Sequence, residues 1–244
     1  MVRIAVTSDI HGTLPDVEPC DIFLICGDIS PIHDSHSLNS QAKWFNTVFI
    51  PYLQTVKAKH IVFIAGNHDY YLYQIYMSGE EWCVREKLPK NVHYLRDSHI
   101  VLDGVSIYGT PWVNRPPWGN VDNPVWSFSS ATSFDLSYRY TKDLPATAKI
   151  DIFISHSPPK GYCDLIKNLE DDGHIGSPEL TEVIKRIAPK YHFFGHIHSG
   201  VHDYMQIPTM IIGESTNARN VSRLCEDYKT EYPIHYFDIE NLTI

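Results

Sequence analysis

Five short apolar runs fix the framework of this chain: Val2–Val6, Ile22–Cys26, Ile61–Ala65, Ile152–Ile154 and Tyr191–Phe194. Each is of strand length, and each gives way at once to a polar, glycine-containing block. Runs without polar interruption suit strands buried on both faces. The blocks that follow them are Asp9-Ile10-His11, Gly27-Asp28, Gly66-Asn67-His68-Asp69, Ser155-His156-Ser157 and Gly195-His196-Ile197-His198. Five strand ends that deliver Asp, Asn and His to one rim make a metal-site pattern, because ligands of open α/β sheets bind at the carboxyl ends of the strands.

Spacing extends the argument. In extended chain, residues i and i+2 face the same side, so Asp9 with His11, and His196 with His198, can each present a pair to one pocket. The apolar Ile10 and Ile197 between them then face away. Gly12, Gly27, Gly66 and Gly195 allow sharp turns beside these residues. Imidazole and carboxylate donors without thiolate suit Zn, Fe, Mn or Ni. Asp9, His11, Asp28, Asn67, His156, His196 and His198 exceed the needs of one tetrahedral ion. Two ions sharing a carboxylate fit better; such pairs lie ~3.5–4 Å apart and clamp the attacking and leaving oxygens of an in-line displacement. Taken singly, a DxH or a GD is weak evidence; all five blocks in this order, each after a strand, are strong evidence.

The remaining elements follow from period and punctuation. Ser40–Tyr52 places Phe45, Val48 and Phe49 at helical spacing, and Glu80–Lys87 is a second short helix. Ser177, Pro178 and Glu179 read as N-cap, first-turn proline and first-turn acid of a helix that Pro189 stops after about Ala188. Val92–Leu95, His99–Leu102 and Val105–Tyr108 read as strands, the last two joined by an Asp103–Gly104 turn. Val201–Tyr204, Thr209–Ile212 and Ile234–Ile239 read as further strands. The fold class is mixed α/β with two sheets in one domain over residues 1–244. Residues Pro111–Phe128, with Trp112, Trp118, Trp126 and four prolines, show no period and read as a long surface excursion. It lines the substrate side of the site, or it packs on the core or a second subunit; the oligomeric state stays open, a dimer included.

Composition excludes several classes. A net charge of −9 argues against a broad basic face for duplex DNA, though a site holding dications can be positive inside an acidic protein. The cysteines Cys20, Cys26, Cys83, Cys163 and Cys225 are odd in number and form no CxxC, which points away from disulfides and thiolate zinc. The opening MVRIAVTSDIHG is too soon interrupted by Asp9 for a signal peptide, and no apolar run approaches the ~20 residues of a bilayer span. A cytoplasmic location without membrane contact is expected.

The blocks DIHG, GD, GNHD, SH and GHIH resemble the signature of the calcineurin-like metallophosphoesterase superfamily, from Asp9 to His198. The resemblance implies a β-sandwich of two mixed sheets flanked by helices. It implies that Asp9, His11 and His198 hold one transition-metal ion (Mn, Fe or Zn), that Asn67, His156 and His196 hold a second, and that Asp28 bridges them. His68 is then no ligand but the catalytic group that approaches the scissile phosphate and leaving oxygen. The segments NVHYLRDSHIVLDGVSIYGTPW, SHSPPKGY and FFGHIHSG are similar to the MPPED branch, which is linked to hydrolysis of cyclic nucleotide phosphodiesters. Gly27-Asp28-Ile29-Ser30-Pro31 lacks the extension that follows GD in Ser/Thr protein phosphatases. The expected substrate is a small phosphodiester such as a cyclic nucleotide. The alternatives are a phosphomonoesterase or nuclease built on the same site, and a metal-binding scaffold without catalysis. A module without metal fits poorly, because so many unpaired His and Asp side chains at one rim are costly.

Secondary roles are open for several residues. Asp69 orients His68 or caps the following helix. Lys160 meets a phosphate or is a solvated loop lysine. Glu214 and Asn217 follow a late strand and are candidates to border the pocket. His33, His36, His93, His174, His192 and His202 are expected outside the metal shell.

Overall fold

A computed structural model describes residues 1–32, 37–116, 119–120, 122–144, 149–166 and 173–240. In chain order the strands are β1 (Val2–Thr7), β2 (Cys20–Cys26), β3 (Ala58–Ile64), β4 (Val92–Tyr94), β5 (Ser98–Leu102), β6 (Val105–Thr110), β7 (Val113–Asn114), β8 (Ser129–Ser130), β9 (Ile152–Ser155), β10 (Tyr191–Phe194), β11 (Met205–Pro208), β12 (Ser215–Asn220) and β13 (His235–Ile239). The helices are α1 (Leu38–Trp44), α2 (Ile50–Thr55), α3 (Tyr70–Met77), α4 (Glu81–Arg85), α5 (Ser133–Thr141) and α6 (Pro178–Ile187). One sheet has the order β13-β1-β2-β3-β4 and the other β11-β12-β10-β9-β6-β5. β1, β2, β3 and β4 run parallel, as do β6, β9, β10 and β12, while β13, β11 and β5 join antiparallel at the edges.

The unbroken apolar runs are explained by two cores. Val2, Ile4, Val6, Ile22, Leu24 and Cys26 meet Ile107, Ile152, Ile154 and Phe193 between the sheets. The alternate residues Ala5, Phe23, Ile25 and Phe63 face outward, under Phe45, Phe49, Leu53 and Leu72 of the helical layer. On the second sheet Tyr108, Phe153 and Phe194 do the same under Leu136, Tyr140, Leu180 and Ile184. With side chains alternating across each strand, both faces of the central strands are dry, and a helix–sheet–sheet–helix sandwich results.

Most expected elements form. Ser177 caps α6, its hydroxyl accepting from the Leu180 N–H, and the helix ends at Ala188 in a left-handed conformation. Asp103 and Gly104 both have positive φ, as a two-residue hairpin turn needs. The Ser40–Tyr52 helix is instead two helices joined by a wider π turn over Phe45–Phe49, ahead of Pro51, which has no N–H to give the preceding turn. Val48 is thereby left at the surface. In the C-terminal part the expected strands Val201–Tyr204 and Thr209–Ile212 are loop and turn, and β11 and β12 take their place between and after them. β12 reads Ser-Thr-Asn-Ala-Arg-Asn, which is too polar to announce a strand. No described helix is long and apolar enough to cross a membrane.

Candidate active site

The rim formed by the carboxyl ends of β1, β2, β3, β9 and β10 brings together Asp9, His11, Asp28, Asn67, His68, His156, His196 and His198. Two groups of potential ligand atoms lie within 4.8 Å of one another, Asp9–His11–His198 and Asp9–Asp28–His156. Asp28 stands between them: its Oδ2 is 3.7 Å from His11 Nε2 and 3.1 Å from His156 Nε2. His196 is in neither tight group, but its ring lies 5.2 Å from that of His156. Asn67 Oδ1 is 3.0 Å from His156 Nε2, and its Nδ2 donates to the Val125 carbonyl at 2.8 Å.

The backbone reaches this arrangement by a route that differs from the extended pairs expected. The strands stop at Thr7 and Phe194, and Asp9, His11, Asp28 and His196 all have positive φ (52, 39, 51 and 70°). Left-handed conformations at non-glycine residues cost energy and concentrate at functional sites. Here they fold each block back over its own strand end. Gly195 is needed for the same reason: a Cβ there would collide with Asp9 Oδ2 and Ser8 Oγ.

Two of the imidazoles, His156 and His198, are aimed by their other nitrogen. His156 Nδ1 lies 2.9 Å from the Cys26 carbonyl and donates to it, leaving Nε2 for the pocket. His198 Nδ1 does the same with the Cys225 carbonyl at 3.2 Å, and its Nε2 faces Asp9 Oδ1 at 3.2 Å. Such outer hydrogen bonds fix tautomer and orientation of metal-binding histidines. Asp9 accepts from the His196 N–H and, at 2.8 Å, from the Ser222 hydroxyl. Asp28 Oδ1 accepts from the His68 N–H at 2.8 Å.

The electrostatics keep the two carboxylates ionised. Burial opposes ionisation of Asp9 and Asp28, yet both are held well below the usual carboxylate range, Asp9 by the hydrogen bond and charge of His198 and by the charge of His156, Asp28 mainly by the charge of His156. Burial also works against a charged His156, but Asp28 and then Asp9 push it up to about 9. Burial takes His11 down to about 4 and, with His156 beside it, His196 to about 3. Neither ring nitrogen of buried His11 has a hydrogen-bond partner. Two orphaned nitrogens in a dry pocket are costly unless a further group satisfies one of them. The oxygen and nitrogen donor set, its burial and this orphaned imidazole fit transition-metal ions.

The structure also places the remaining sequence-based candidates, some against expectation. Asp69 sits at the start of α3 without capping it, and it does not orient His68: its carboxylate accepts from the backbone N–H groups of Ile29, Ser30 and Gly66, tying the loops after β2 and β3 together. Lys160 is exposed and does not line the cleft. Asn217 pairs with Tyr191 at the start of β10, so it and Glu214 lie at the opposite end of the sheet from the site. Trp112 is core: it is 2% exposed, donates to Asp97 Oδ2 and carries the Arg139 guanidinium 3.5 Å above its ring. Trp118, like His33 and His36, falls outside the described residues. Among the described residues, the excursion reaches the site through the Val125 carbonyl, beside a half-buried Trp126, and through Asn114, which accepts from the Ser157 hydroxyl and donates to the Ile175 carbonyl. His192 is buried against Ser155, and His202 stacks on Tyr232.

Other residues carry no motif that sequence reasoning could use. Gln41 of α1 donates to the His68 carbonyl and accepts from the Tyr71 N–H, which pins the GNHD loop from behind. Ser222, the Cys225 carbonyl and Tyr228 come from the segment after β12. Its approach to β1 shows locally in the Ser8–Ser222 bridge. A cleft of roughly 260 Å³ opens above the cluster, lined by Asp28, His68, His196 and His198 on the polar side.

A family model described as calcineurin-like phosphoesterase matches residues 2–200. UPF0046 protein T07D4.2 of Caenorhabditis elegans is 30% identical over 226 residues, which are 82% of this chain and 52% of that protein. Metallophosphoesterase domain-containing protein 1 of Homo sapiens is 27% identical over 219 residues, 81% of this chain and 61% of the human protein. The chain thus spans little more than half the length of these relatives. The solved structure of TT1561 of Thermus thermophilus shares the fold, with a TM-score of 0.53 at 16% identity over 91% of either chain. The chain belongs to the calcineurin-like phosphoesterase family, whose members hydrolyse phosphoesters at a dinuclear metal site.

Proposed function

We propose that this chain is a phosphodiesterase for small phosphodiesters, cyclic nucleotides among them. The observation that carries the reading is the pair of ligand groups sharing Asp9, with Asp28 of the second group also reaching His11 of the first and His68 beside His11. Asp9, His11 and His198 would hold one ion, Asn67, His156 and His196 the other, and Asp28 both. When bound, such a pair makes a nucleophile from water at neutral pH and polarises the phosphoryl oxygens.

The protein's own groups do the rest. Asp9 and Asp28 stay ionised and return two negative charges to the site. His68 is held through its backbone at both ends, by Asp28 and by Gln41, and its ring stands edge-on to His11 at 5.2 Å. From there it can hold a proton for the departing alkoxide. Among the described residues lining the cleft there is no lysine or arginine, and Glu226 adds a negative charge. A diester monoanion needs less counter-charge than a monoester dianion, which favours the diester.

The test is to strip the protein with chelator, restore Mn, Fe or Zn, and assay bis(p-nitrophenyl) phosphate, p-nitrophenyl phosphate and cyclic AMP. A diester kcat/KM at least about tenfold above the monoester value is expected, with two ions per chain by elemental analysis. A monoester preference with every metal overturns the diesterase reading.

A further inference from the structure

Part of the cleft lining, Glu226 and Tyr228, comes from outside the span that the family model matches. Cys225–Lys229 forms a tight turn: the Cys225 N–H donates to the Lys229 carbonyl and the Tyr228 N–H to the Cys225 carbonyl, at 3.0 and 2.9 Å. Leu224 and Thr230 pair just below it. The turn carries Tyr228 over the cluster. Its ring centroid is 5.5 Å from that of His11 and 5.1 Å from that of His198, edge-on to both. Ile166 and Ile175 line the same cleft.

Two features set Tyr228 apart from a residue that merely covers the histidines. It has a φ of +56°, a conformation that Gly or Asn adopts in turns far more readily than an aromatic residue. It is also 46% exposed, so much of its surface faces open cleft. A strained, half-exposed aromatic in a binding cleft is evidence for a contact with something else. The rings of His68 and Tyr228 both stand edge-on to His11, at 5.2 and 5.5 Å, and both line the cleft. A phosphodiester bound beside His11 with its leaving arm at His68 would have Tyr228 within reach of its second arm.

We propose that Tyr228 is a specificity-determining residue, its ring stacking on a flat substituent carried by the non-scissile ester oxygen, with Ile166 and Ile175 completing an apolar slot. The inference rests on the diesterase reading and names the substrates that the site prefers: diesters whose retained arm bears an aromatic or heteroaromatic ring.

Bis(p-nitrophenyl) phosphate and methyl p-nitrophenyl phosphate share a leaving group and differ only in the retained arm. Metal-loaded wild type should favour the first, and in Tyr228→Gly the ratio of the two kcat/KM values should fall roughly tenfold, the scale of an aromatic stack. Tyr228→Gly relieves the left-handed backbone, so folding is favoured, and Tyr228→Phe should keep the wild-type ratio. As a binding readout, calorimetry should show the affinity of a nucleoside monophosphate falling relative to that of inorganic phosphate in Tyr228→Gly. If wild type hydrolyses both diesters and Tyr228→Gly leaves both ratios as they were, this inference is overturned and the diesterase reading stands. Wild type inert toward every diester removes both.

Discussion

Asp9, Asp28 and Asn67 leave three adjacent parallel strands of the first sheet, each directly behind an unbroken apolar run. The segment after β12 contributes to the same site with no such run and no motif. Ser222 holds Asp9, the Cys225 carbonyl holds His198, and Tyr228 covers His11 and His198. The first region supplies candidate ligand atoms, and the second supplies part of their aim and of the outer wall. A pattern of residue types marks the former because only Asp, Asn and His can do it. Aim can come from any hydroxyl or backbone carbonyl, so it leaves no mark.

Substitutions can sharpen or break this division. The largest effect belongs to the first region: Asp28→Ala removes the carboxylate between the two ligand groups. It should lower kcat/KM on the order of 10³-fold or more, with fewer than two ions per chain by elemental analysis. Full occupancy and near-normal rate would show that Asp28 is not shared. Next, His68→Ala should keep both ions and lose ~10²–10⁴-fold on a cyclic nucleotide, whose alkoxide needs a proton, but far less on a nitrophenyl ester. Equal losses on the two substrates would remove His68 from proton transfer. Smaller again, Ser222→Ala should weaken metal binding ~10–100-fold, as loss of an outer hydrogen bond does. A chelator competition titration measures this, and an unchanged midpoint would mean that the tail does not tune Asp9. The smallest effect on selectivity is expected from Trp112→Ala. Its buried ring makes this a stability change of ~3–5 kcal/mol, read by denaturant melts, while the cyclic-nucleotide-to-aryl-diester ratio should match wild type. A changed ratio would return Trp112 to the substrate site.

The two-sheet fold was legible because its central strands are dry on both faces, which leaves unmistakable runs such as Ile22–Cys26. β12 was not legible: its alternate residues Thr216, Ala218 and Asn220 are buried, but two of the three are polar and satisfied by Pro189 and Ile197 carbonyls. The seven candidate ligands and His68 were all legible as residue types, and all meet at one rim. The manner of their meeting was not. Spacing suggested extended pairs, whereas Asp9, His11 and His196 are left-handed, a choice fixed by tertiary packing around Gly195 and the neighbouring strand ends. Asp69 misled for a related reason: its position at a helix start suits a cap, but three unpaired N–H groups of neighbouring loops compete for its carboxylate and win.

The candidate ligands come from both sheets, and this bears on how the molecule comes apart. Asp9 and His198 are 189 positions apart in the chain, so a centre that joins them closes a very long loop, as a cross-link would. At the opposite rim, where the Asp103–Gly104 turn lies, an exposed Lys59–Asp103 ion pair ties β3 to the second sheet, and such pairs contribute little. A metal pair at the ligand rim would therefore add a clasp at one end of a sandwich that the apolar core already joins across its width. Amide exchange in the loaded protein should be slowest beside that rim and quicken toward the Asp103 turn, and chelation should erase the gradient from the rim outward.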